Sequence, residues 1–187
     1  MRRRWNNLNR AVATLGAIAV ISLSAAAQEA AKIDSLFDRL KKADPADAKR
    51  ISADIRMEMS KSGSASMDLL LKRGREALEA GETDAAIEHF TALTDHAPDF
   101  AEGFHARSIA YARAELFGPA VADIERAISL RPRHFPAIYG LGAILEELGE
   151  TDLAYEAYAR VHSIHPHFED VTTKLERLGN EVRGSEL

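Results

Sequence analysis

Cysteine is absent from all 187 residues. Its absence excludes disulfides, thiolate metal sites, iron–sulfur ligation and a cysteine nucleophile. Tryptophan occurs once, at Trp5. The chain has no glycine-rich phosphate loop, no HExxH pair and no nucleophile elbow, so neither a catalytic residue nor a cofactor is expected. A basic surplus is missing as well, with 24 Lys and Arg against 29 Asp and Glu. Nucleic-acid backbones require concentrated positive charge, so no nucleic-acid partner is expected. Also lacking is an apolar run of the roughly 20 residues that span a bilayer.

The apolar residues that are present amount to 46% of the chain, too many for a wholly disordered protein. The length suits one domain or a short run of repeats. Arg2, Arg3, Arg4 and Arg10 precede the uncharged apolar stretch 11–23, and Ala25 and Ala27 follow it. A basic start, a short apolar core and small residues before a cut read as a secretory signal peptide over 1–27. The expected location is the periplasm, with no membrane insertion after cleavage. Removal of 1–27 takes four arginines and no acid, leaving 20 basic and 29 acidic residues and a net charge near −9.

A period of 34 runs through what remains. Pro98, Pro132 and Pro166 share it, as do Ala86, Ala120 and Ala154, and Phe90, Ile124 and Tyr158. Leu93, Ala127 and Val161 form a further column, and Gly74, Ser108 and Gly142 a column of small residues. Units of this length bury their apolar faces against neighbours. Within each unit the apolar spacing is that of an amphipathic helix pair. Gly81 and Gly149 mark the internal turn in two units, and Gly118–Pro119 is the expected turn in the middle one. The small column lets paired helices approach closely, while the large residues fill the groove beside them.

Phe104, Ser108, Tyr111, Ala120, Ile124, Ala127 and Pro132 fall at the offsets of the tetratricopeptide repeat pattern. Leu70, Gly74, Ala77, Ala86, Phe90 and Pro98, and Ile138, Gly142, Ala154, Tyr158 and Pro166, repeat it less fully. The chain therefore resembles the tetratricopeptide repeat family, and more particularly an exported alphaproteobacterial group loosely tied to envelope integrity. The resemblance implies an all-α fold: a TPR-type helical-repeat solenoid of antiparallel helix pairs forming a short right-handed superhelix. The expected organisation is a degenerate repeat over 28–66, repeats over 67–100, 101–134 and 135–168, a capping helix over 169–182 and a frayed tail over 183–187.

The resemblance also implies that the first helix of each unit lines the concave face. The projected groove residues are Asp68, Leu71, Lys72 and Arg75, then Glu102, His105, Ile109 and Arg113, then Tyr139 and Glu146. Such a face suits a peptide held by an apolar anchor and flanking polar contacts; solvated helix residues are the plainer reading. The lysine and asparagine set with which some members grip a C-terminal carboxylate is not reproduced, since Leu71, Arg75, Ala106 and Pro136 occupy those positions. Arg133 and His134 are expected as an exposed secondary contact, with Phe135 packed beneath the next helix. His162, His165 and His167 lie within six residues and invite a metal reading, which Pro166 opposes by breaking the helix, so no metal is assigned. The expected function is a non-enzymatic periplasmic adaptor for an envelope protein or peptide. The alternatives are an oligomer-forming structural subunit that self-associates through its convex or N-terminal face, and a metal or small-ligand carrier using the C-terminal histidines.

Overall fold

The computed structural model describes residue 28 and residues 31–185; the signal-peptide reading lies outside them. Residues 31–40 form α1. Then follow α2 (Pro45–Met59), α3 (Ala65–Ala80), α4 (Thr83–His96), α5 (Ala101–Arg113), α6 (Phe117–Leu130), α7 (Phe135–Glu147), α8 (Thr151–Ile164) and α9 (Val171–Ser185). The described residues contain no strand, and no described helix is long and apolar enough to cross a membrane.

The 34-residue columns become equivalent packing points. Ala86, Ala120 and Ala154 are fully buried, and Phe90, Ile124 and Tyr158 fill the space beside them. The small column is required sterically: a Cβ on Gly74 would come within 2.3 Å of the Phe90 ring, and one on Gly142 within 2.8 Å of Tyr158. Ser108 is the tolerated exception. It is buried, and its hydroxyl donates to the His105 carbonyl at 2.7 Å.

Helix ends repeat in the same register. Ala97, Arg131 and His165 each close a second helix with φ between −132° and −140°. Each precedes one of the periodic prolines, which disfavour helical geometry in the residue before them. Between paired helices the chain turns through left-handed backbone at Gly81 (φ 79°), Glu115 (φ 59°) and Gly149 (φ 77°). In each turn the next N–H donates back to the helix, from Glu82 to Ala77, Leu116 to Tyr111 and Glu150 to Leu145, at 2.9 Å. The middle turn is thus at Glu115. Gly118 and Pro119, expected as that turn, lie in the first turn of α6, where backbone N–H groups have no intrahelical acceptor to lose. Arg126 and Arg160, 34 apart, reach back to the Pro98 and Pro132 carbonyls at 3.0 and 2.7 Å.

The N-terminal helix pair departs from this register. The stack runs without interruption from α3 to α9, and α2 stands outside it. Instead, Leu36, Phe37, Leu40, Ile51, Ile55 and Met59 share a core with Phe135 and Ile138 of α7. The Phe37 ring meets Phe135 edge-on at 6.3 Å. Arg133 lies over Phe37 at 4.3 Å and pairs with Asp34. Residues 31–66 therefore add no further tier to the stack. In their 34-residue phase, Leu40 stands where a helix crossing needs a small residue, Arg56 where it needs a large apolar one, and Ser64 where the other units carry proline. A pair with those residues cannot close onto a neighbour as the repeats do, and it docks as a hairpin on α7.

Candidate functional site

The first helices α3, α5 and α7 line up along one side of the stack, the inner face. The hairpin ends at this face: Arg56, Met57 and Ser60 share a cavity of about 370 Å3 with Arg75, Leu78, Glu102, His105, Ile109 and Pro136. At the other end α9 packs against α8 as the next first helix would, and Lys174 and Arg177 of α9 reach Glu146 of α7.

The projected groove residues do not stay together. Arg75, Glu102, His105 and Ile109 converge on the cavity. Asp68 and Leu71 serve the fold. Asp68 accepts the Ser62 N–H and hydroxyl at 2.9 and 2.6 Å, fixing the α2–α3 linker, and Leu71 is core. Lys72 is exposed, 3.6 Å from Glu76. Arg113 donates to the Leu78 carbonyl at 2.6 Å, joining the first two units.

Tyr139 and Glu146 are occupied from within the chain. The Tyr139 ring packs on Tyr158 at 5.3 Å and Phe168 at 5.2 Å, and its hydroxyl donates to Asp170. Burial and that carboxylate raise the phenol above its usual range. Glu146 accepts from the Tyr158 hydroxyl at 2.9 Å, from Lys174 at 3.0 Å and from Arg177. Neither side chain is therefore free for a partner.

His134 is not an exposed contact: it is fully buried. Its Nδ1 accepts the Ala137 N–H at 3.2 Å, capping α7, which leaves Nε2 to carry the proton and donate to Glu102 Oε2 at 3.0 Å. Glu102 also pairs with Arg75 and lies 3.5 Å from His105 Nδ1. Burial opposes the Glu102 charge, but the facing histidines outweigh it and hold the carboxyl well below its ordinary range. Burial likewise depresses the His134 imidazole, against the pull of Glu102. Arg133 is half exposed at the hairpin junction.

The C-terminal histidines do not converge on a ligand. His162 and His167 are exposed, whereas His165 is buried against Phe135 and Phe168, each at 5.3 Å. Burial lowers its pKa to about 4. Three other side chains do meet at ligand distances, with Glu102, His105 and His134 offering atoms within 4.8 Å of one another. Their protonation opposes a cation. A metal on His134 Nε2 displaces the proton to Nδ1, directly against the Ala137 N–H, and Arg75 already neutralises the carboxylate. The cluster is a hydrogen-bonded latch between α3, α5 and α7.

Sequence reasoning missed Arg56, Met57 and Ser60 because they lie outside the repeats. It misread His134 because Arg131 and Arg133 precede it. Its spacing three residues ahead of Ala137, at the start of a Pro-containing first turn, was the available signal of a cap.

A tetratricopeptide repeat family model matches residues 136–167. A TPR repeat-containing protein of Rhizobium etli is 30% identical over 155 residues, covering 82% of this chain and 76% of the relative; its source is alphaproteobacterial. Among solved structures, the first TPR domain of Spaghetti (RPAP3), bound to the HSP90 peptide SRMEEVD, is 25% identical and has a TM-score of 0.60, covering 63% of this chain and 93% of that one. The crystal structure of MamA is 26% identical with a TM-score of 0.59, covering 76% of this chain and 86% of that one. With its columns of helix crossings in phase and a relative matched over most of both lengths, the chain belongs to the tetratricopeptide repeat family.

Proposed function

We propose that the protein is a non-enzymatic adaptor of the cell envelope, acting in the periplasm and holding a protein or peptide against the open part of its inner face. The carrying observation is that α3 and α5 leave Ile109 exposed beside a half-exposed Arg75, while Tyr139 and Glu146 of the third unit are taken up by Asp170 and by Lys174 and Arg177. The RPAP3 domain, which binds a peptide, supports protein binding as the mode. The family's absent carboxylate-gripping set points away from that particular ligand. The leader pattern of residues 1–27 supports export.

Affinity capture from an envelope fraction tests the reading, with the wild-type protein and a Lys72→Glu, Ile109→Asp variant as parallel baits. A protein retained by the first and lost from the second supports it. Equal retention moves the contact to another face. Fusion of residues 1–40 to a phosphatase active only outside the cytoplasm tests export, and an inactive fusion removes the periplasmic assignment.

A further inference from the structure

Six large apolar side chains stand exposed among the described residues, and two of them, Met57 (56%) and Ile109 (40%), line one cavity from different helices. Met57 comes from the hairpin and Ile109 from α5, so the cavity exists only because the hairpin docks away from the stack. Leu78 adds a buried apolar wall. The polar lining carries a net positive charge. Glu102 is neutralised by Arg75 and bonded by His134, whereas the Arg56 guanidinium makes no ion pair among the described residues. A positive, partly apolar pocket on a chain with more acids than bases is a local inversion of the protein's own field, and such inversions select partners by charge.

We propose that this composite pocket receives one apolar side chain from an extended partner segment with acidic residues beside it, and that Arg56 and Met57 set the preference. The proposal rests on the adaptor reading and names the chemistry of its partner. An extended segment suits the pocket because residues two positions apart project to the same side, which brings an acidic residue next to the buried anchor toward Arg56 at the rim. Met57 and Ile109 grip the side chain, and Arg56 meets a carboxylate at the mouth.

The test is selection of random heptapeptides displayed on phage by the purified protein, followed by titration of one synthesised, fluorescently labelled winner. Enriched peptides are expected to carry Leu, Ile, Met or Phe with Asp or Glu within two positions. Arg56→Glu and Met57→Asp should each weaken the winner about tenfold, and Ile109→Asp should do so from the opposite wall. Lys49→Glu, with the same charge change elsewhere on α2, should change affinity by less than about twofold. Enrichment without acidic bias, or affinity indifferent to Arg56, Met57 and Ile109, overturns the pocket while leaving the adaptor reading intact. Failure to enrich any peptide while envelope capture succeeds also overturns it, and failure of both removes the adaptor reading itself.

Discussion

Residues 67–168 and residues 31–59 both form antiparallel helix pairs, yet they are placed by different physics. Each repeat is positioned by two nearly invariant crossing points, a small residue against a large one, so its neighbour can sit in only one register. The hairpin has no such column. Its position is set by one aromatic contact, Phe37 on Phe135, by Arg133 spanning Phe37 and Asp34, and by the apolar face of α2. Periodic packing makes a stack that can be extended by adding units; a local aromatic patch makes a single, non-repeating addition. That addition changes the inner face, because it supplies a wall that the repeats lack.

Four perturbations sharpen the contrast. Phe135 lies at the meeting point of hairpin, stack and α9, so Phe135→Ala should cost about 3–5 kcal/mol in urea unfolding; a cost below about 1 kcal/mol would show that the three parts do not share a core there. Phe37→Ala should cost about 3 kcal/mol but act locally. Amide exchange should accelerate across α1 and α2 and stay unchanged across α3 to α6, and uniform acceleration would make the hairpin inseparable from the repeats.

Acid acts on the repeat region through buried histidines. His165 has its pKa lowered from 6.5 to about 4 by burial, and His134 moves in the same direction. The unfolded chain therefore binds more protons over this interval. The contribution of His165 is complete above about pH 6.5 and is lost as pH falls toward about 4, and that of His134 is lost in the same sense below about pH 6.5. Glu102, depressed in the folded state, adds a further loss once pH drops below about 4.5. Thermal melts from pH 7 to 4 should show a fall on the order of 2 kcal/mol, and His165→Phe, which suits the surrounding rings, should flatten part of it. An unaltered slope would assign the pH dependence elsewhere.

The smallest expected effect tests the repeat geometry itself. Glu115 holds φ 59° where the flanking units have glycine, and a non-glycine residue in left-handed backbone costs about 1–2 kcal/mol. Glu115→Gly should raise stability by about 1 kcal/mol, read as a higher melting temperature. A lower one would mean that the Glu115 side chain contributes more than its backbone strain removes.

The helix pairs of 67–168 were legible because each is fixed by residues 12 to 16 positions apart that recur every 34: Gly74 with Phe90, Gly142 with Tyr158. The middle turn was misplaced because Gly118–Pro119 has stronger local turn chemistry than Glu115, and the register of the neighbouring units overrode it. Of the projected groove residues, Arg75, Glu102, His105 and Ile109 reach the cavity. Tyr139 and Glu146 do not remain open, since their partners Phe168, Asp170, Lys174 and Arg177 lie about 30 residues further on in no periodic relation to them.

From residue order alone come the all-α class, the 34-residue unit and the close helix crossings, because each depends on side chains of fixed size at short, recurring separations. Only the folded chain decides that the first two helices dock on α7, that His134 is a buried cap bonded to Glu102, and that Arg56 and Met57 face Ile109. Those contacts join segments 32 to 99 residues apart with no repeating interval. Their geometry follows from which surfaces remain unfilled once the stack has formed.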